Sequence, residues 1–299
     1  MTVPGHAPSA SACYTNRVAI VLALLSATIY GVSDYLGGRT SRRFSPIAVT
    51  CVAEVALAPI IAVIVLAVED GSPSARAFWW GVVAGLAGSL GVIGLYAALS
   101  RGNMTVVAPV TGIVAAGFPV VVGLSLGERP ELLGLLGIVL AVGAVALIGG
   151  AVGATYHDVA VGTIALAVLV GASFGLLFIG YDQAGDDAGL WPLLTARAGG
   201  APLLLAAYVV GRRRGQVERL SFAVVRPSVA IGALIGLANA LFLLSTREGL
   251  LSIVAVLVSL YPASTIVLAM VFDRERAARP QLAGMSLAVV AVALITLGS

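Results

Sequence analysis

Runs of about twenty apolar residues recur along the whole chain, and a run of that length fixes the solvent in which it can fold. About 20 residues at 1.5 Å rise cross a hydrocarbon layer of about 30 Å. Seven uncharged runs reach this length: Ala77–Ser100, Gly102–Gly127, Leu132–His157, Val159–Tyr181, Pro227–Thr246, Gly249–Phe272 and Pro280–Ser299. Three more carry one charge each: Val18–Gly38 holds Asp34, Pro46–Val68 holds Glu54 and Ala188–Gly211 holds Arg197. These runs predict an all-α integral membrane protein with ten transmembrane helices. The longest connection, Arg212 to Arg226, has 15 residues, too few for a soluble domain.

Composition closes the other routes. Charged residues make up 10% of the chain and hydrophobic ones 60%, whereas a soluble domain spends about 25% on charge. Ordinary soluble enzymes, disordered chains, collagen-like repeats and disulfide frameworks are excluded. Cys13 lies in a polar leader and Cys51 in an apolar run, so neither a bridge nor a metal spacing is expected. All 17 basic residues are Arg. Their surplus gives a net charge of +3, which reads as membrane orientation and not as a nucleic-acid surface.

Loops after the odd-numbered runs hold 12 arginines, while the leader and the other loops hold 4. The positive-inside bias then places the odd loops in the cytoplasm and both termini outside, an N-out, C-out protein of the cell membrane. The leader, residues 1–16, lacks the basic start of a secretory signal, so Val18 onward is expected to stay as the first helix.

The chain also repeats itself. Glu128–Ile148 set against Glu275–Ile295, 147 residues later, gives 12 identities in 21 positions, including Glu128/Glu275 and Arg129/Arg276. Tyr30-Gly31 further matches Phe174-Gly175, and Pro46 matches Pro192. The halves are residues 17–151 and 159–298, with five runs each. An odd number of spans makes the second half enter the membrane from the opposite side, which gives two inverted five-helix repeats. Secondary transporters are commonly built this way, with a site near mid-depth between the halves.

With its ten runs, Tyr30–Gly38 and two helix-ending Glu-Arg pairs, the chain resembles the EamA family of the drug/metabolite transporter superfamily. Tyr261-Pro262 sits 13 residues before Glu275, similar to that family's Pro-to-Glu spacing. The first copy departs from it, with Ala115 in the place of Pro262 and prolines at 109 and 119. The resemblance implies transport of a small metabolite, an amino acid or related amphiphile, by alternating access. It also implies a central cavity lined by the first, third and eighth helices, where Tyr30, Tyr96 and Asn239 lie.

Charges inside a bilayer cost about 2.5–3.5 kcal/mol each on insertion scales, so each needs a reason. Asp34 is about 7 Å from the end of its run, either paired with Arg39 or Arg42 or acting as a proton or cation site. Glu54 lies about 12 Å deep, and a carboxyl removed from water is a candidate proton carrier. Arg197 on the matching helix offers the alternative of a structural ion pair with Glu54. Pro262 and Pro119 remove the amides that would bond the carbonyls of Val258 and Ala115, predicting kinks in the ninth and fourth spans. Tyr261, Ser264 and Ser259 flank the first of these kinks. They make a substrate site there, or else a packing kink whose tyrosine meets lipid. Trp79, Trp80 and Trp191 sit at span entrances as interfacial belt residues.

The rival functions leave weaker traces. No Walker motif is present, and without Lys none is possible, so ATP does not drive transport within this chain. His6 and His157 lie outside the span interiors, no H-E-x-x-H occurs, and Asp34 with Glu54 is the one conceivable aspartyl pair. The reading is therefore not an enzyme, with no cofactor, no metal and no nucleic acid. The partners are a small-molecule substrate, the bilayer and, as a candidate coupling ion, protons. A lipid or polyprenyl-phosphate translocase is the nearer alternative, and it should show a side opening between helices. Oligomeric state is left open.

Overall fold

A computed structural model describes residues 10–99, 104–151 and 161–298 of the chain. Among these the protein is helical, with no strand. The helices are α1 (Ala10–Ser41), α2 (Pro46–Val68), α3 (Ala75–Leu99), α4 (Met104–Ser125), α5 (Leu132–Ile148), α6 (Val161–Gln183), α7 (Trp191–Arg213), α8 (Phe222–Glu248), α9 (Leu251–Val258), α10 (Tyr261–Phe272) and α11 (Arg279–Leu297). Proline opens α2, α7, α10 and α11, where its fixed φ suits the first turn and its missing amide costs nothing.

Among the described residues, nine spans are long and apolar enough to cross a membrane; a tenth, α5, is shorter at 17 residues. The apolar run beginning at Leu132 was expected to continue to His157, but its helix stops at Ile148. Gly149 caps it and Gly150 follows at φ 91°, a left-handed conformation that ends helices. Residues 152–157 of that run lie outside the described residues. At the other extreme, α1 begins at Ala10, inside the expected leader.

Packing interleaves the halves. In the first half, α1 lies against α8 and α10; in the second, α6 lies correspondingly against α3 and α4. α2 meets α7, and α5 meets α11, as pairs on the pseudo-two-fold axis. Matched glycines sit at two of these crossings. A Cβ on Gly31 of α1 would stand 2.7 Å from the carbonyl oxygen of Tyr261, and one on Gly175 of α6 would stand 3.0 Å from the Phe118 ring of α4. Only a residue without a side chain lets those backbones come so close. Serine hydroxyls add hydrogen bonds across α1 and α8: Ser26 donates to the Ala238 carbonyl at 2.8 Å and Ser245 to that of Ala19 at 2.7 Å.

The ninth span is two helices. α9 ends at Val258, Ser259 and Leu260 turn, and α10 begins at Tyr261-Pro262. Every residue from Leu251 to Leu260 is buried, so this short helix is apolar all round because it runs inside the bundle. The fourth span behaves differently: α4 is one helix through Pro109 and Pro119. The expected kink at Pro119 does not interrupt it, and Pro119 instead packs its ring near Gly175 of α6.

Candidate functional site

The faces of α1 show where an accessible interior lies. Val21, Leu25, Thr28 and Val32 follow one another at helical spacing and form its outward stripe, with the first three exposed. On the opposite stripe, Ile20, Ala23 and Ala27 are buried against the bundle. Tyr30 and Asp34 continue that inward stripe at steps of three and four residues. Burial nonetheless falls along it, since Tyr30 is half-buried and Asp34 exposed. An accessible carboxylate on an inward face marks a recess that opens toward the C-terminal end of α1.

Polar side chains from both halves converge above that recess. The Tyr30 hydroxyl donates to Oδ1 of Asn239 on α8, itself 4% exposed. The Tyr261 ring lies 6.2 Å from that of Tyr30, tilted by 52°. Tyr181 on α6, which sequence reasoning passed over, is buried with its ring 6.4 Å from that of Phe242 on α8. Its signal was a hydroxyl at the end of an otherwise apolar run.

Arg197 and Glu54 form an ion pair between α7 and α2, with side chains 4% and 16% exposed. The guanidinium uses Nη1, while its Nε and Nη2 are buried without a hydrogen-bond partner among the described residues. Glu54 thus has a resident partner, and Asp34 has no ion-pair partner among the described residues. The arginines expected to pair with Asp34 turn elsewhere: Arg39 to Asp273 at 3.1 Å and to the Tyr35 hydroxyl at 3.0 Å, Arg42 to Glu275 at 3.3 Å.

Not every predicted residue joins the cluster. Ser264 packs at the Gly31 crossing, and Ser259 donates to the Ala255 carbonyl within its own helix at 2.7 Å. Tyr96 lies on α3, but its side chain is outside the described residues. Trp79 is exposed at the start of α3.

Charged side chains tie main-chain groups at both ends of the bundle: at the Asp34 end Glu218 accepts the Ser45 amide at 2.8 Å, and at the opposite end there are several such ties. Glu128 accepts the amides of Leu251 at 2.6 Å and Ser252 at 3.0 Å. Glu69 accepts that of Leu190 at 2.6 Å. Arg247 donates to the Gly189 carbonyl. Sequence reasoning used Glu128 only to recognise the repeat; its place at a helix junction was the available clue to this role.

The pattern of one transporter family matches this chain twice, over residues 17–150 and again over 162–297. The chain belongs to the EamA-like transporter family. It is a multi-pass membrane protein with two EamA repeats, of a kind that moves small solutes across membranes. A solved crystal structure of a protein overlays on it with a TM-score of 0.70 at 15% sequence identity, covering 97% of this chain and 98% of that one. At that identity the likeness establishes the fold alone. No curated protein matches the chain by sequence.

Proposed function

We propose that this EamA protein carries a small amphiphilic metabolite, an amino acid or a related compound, by alternating access around the Tyr30–Asn239–Tyr261 cluster. The observation that carries this reading is the accessible Asp34 carboxylate on the inward face of α1, below aromatic and amide groups from the opposite half. A polar, half-wet pocket between inverted repeats suits a solute with both an apolar body and a polar head. Tyr30 and Tyr261 supply ring faces, Asn239 supplies amide hydrogen bonding, and Asp34 supplies charge. Asp34, free of an ion-pair partner among the described residues, is the candidate for proton coupling. In the cell membrane the arginine asymmetry puts the recess on the cytoplasmic side.

The lipid-translocase reading has one observation in its favour. A groove of about 280 Å³ runs between α1 and α10, lined by Val32, Tyr35, Leu36, Arg39, Leu268 and Phe272. It lies on the outward flank of α1, where an acyl chain has access. Purified protein in liposomes separates the two readings. Uptake or counterflow of an amino-acid and metabolite panel, with and without a pH gradient, is expected. Dithionite-detected flipping of fluorescent lipid with no solute exchange would overturn the metabolite reading.

A further inference from the structure

We propose that Glu128 and Glu275 are matched helix-end locks, one seated at a time, that decide which end of the protein is shut. This rests on the alternating-access reading above. Glu128 belongs to the first half and α9 to the second, so its carboxylate ties the halves together. Both of its oxygens are used, one on the amide of Leu251 and one on that of Ser252. The first amides of a helix have no partner inside it and carry partial positive charge. The N-cap of α9 is Leu250, which makes no side-chain cap, and Glu128 fills that deficit from across the interface.

The repeat supplies the counterpart. Leu251 and Ser252 open α9 as Met104 and Thr105 open α4, and the two pairs stand 147 positions apart, the same offset as Glu128 and Glu275. Each glutamate follows a residue at positive φ, although the Glu128 amide donates to the Gly123 carbonyl and the Glu275 amide to that of Ala269. Gly127 has φ 103° and Arg274, its counterpart, φ 55°. Arg274 is the non-glycine at positive φ among the described residues, a conformation that crowds a side chain against its own backbone. The positive φ before the glutamate is thus retained in the second copy without a glycine.

The two glutamates are in different states. Glu128 is seated on its two amides. Glu275 is 53% exposed and pairs with Arg42 at 3.3 Å, at the end where Asp34 is accessible. The seated lock lies at the end opposite Asp34, and the unseated one at the end where Asp34 is accessible. When inverted halves exchange arrangements, Glu275 should settle on the first amides of α4 while Glu128 leaves α9. One difference biases the exchange: a Cβ at Gly123 would collide with the Glu128 carboxylate, and the counterpart of Gly123 is Met270. Glu275 therefore needs another rotamer, and the Glu128 lock is the better seated of the two.

Spin labels at Leu126 and Glu248, in full-length protein without Cys13 and Cys51, report this lock by pulsed dipolar distances in lipid nanodiscs without added solute. Wild type should populate mainly the short distance. Glu128→Gln should raise the long-to-short ratio roughly tenfold, and Gly123→Ala, which displaces the carboxylate, should do the same. Adding Glu275→Gln to Glu128→Gln should bring the ratio back toward wild type, a reversal that misfolding does not produce. The proposal is overturned if Glu128→Gln and Gly123→Ala keep the wild-type distribution, or if Glu275→Gln leaves the Glu128→Gln distribution unmoved. Solute counterflow in liposomes is read separately. Exchange with unmoved distances sinks the locks and spares the transport reading, whereas shifting distances without any exchange do the reverse.

Discussion

Glu54 on α2 holds Nη1 of Arg197 on α7, and the pair joins the two halves at their axis. It is a near-neutral unit in a place where either charge alone would be expensive. The rest of the Arg197 guanidinium is buried without partners among the described residues, so the pair has little reserve.

Removing one member should therefore be worse than removing both. Glu54→Gln or Arg197→Gln should destabilise the protein by about 3–5 kcal/mol, the usual cost of stranding a buried charge. Glu54→Leu with Arg197→Met should recover most of that loss. Thermal unfolding in detergent checks it; single variants as mild as an exposed substitution would disprove burial of the pair.

Asp34 is the carboxylate left to take up a proton. Asp34→Asn should keep folding and solute exchange yet lose accumulation driven by a pH gradient. Uptake by wild type that ignores the gradient would remove proton coupling altogether.

Tyr261 and Tyr30 face one another where the ninth span breaks. Tyr261→Ala should weaken binding by about 0.5–1.5 kcal/mol through loss of the ring pair, and further through loss of the hydroxyl. Trp79→Ala, at the exposed start of α3, should leave affinity unchanged. Equal effects of the two in concentration-dependent counterflow would detach Tyr261 from the site.

Orientation has a direct chemical assay. Single cysteines at Ser9 and Gly298, without Cys13 and Cys51, should react with impermeant maleimide in intact cells, and one at Gln216 should not. Protection of both termini would invert the assignment, and with it the side on which the Asp34 recess opens.

The spans and the repeat were legible because hydropathy and register are local properties. Pro262 announced the break between α9 and α10, since a proline's missing amide acts on its own helix. Pro119 carries the same covalent signal, yet α4 runs through it, where the ring is used in packing against α6. Asp34 shows the limit from another direction. Nearness in sequence favoured Arg39 or Arg42 as its partner, whereas those arginines reach Asp273 and Glu275, more than 230 positions away. The helix-junction position of Glu128 was legible, but its capping partners were not, because they are amides of another helix and amides carry no sequence signature.

The interleaving of the halves sets a schedule for biogenesis. Tyr30 and Asn239 are 209 positions apart, and at about 5–20 residues per second the ribosome needs roughly 10–40 s to make the second after the first. Through that interval α1 is in the membrane with Tyr30 and Ser26 unmatched, because α8 has not been synthesised. Those two hydrogen bonds can form only once α8 has been made, so the docking of α1 is completed late in synthesis.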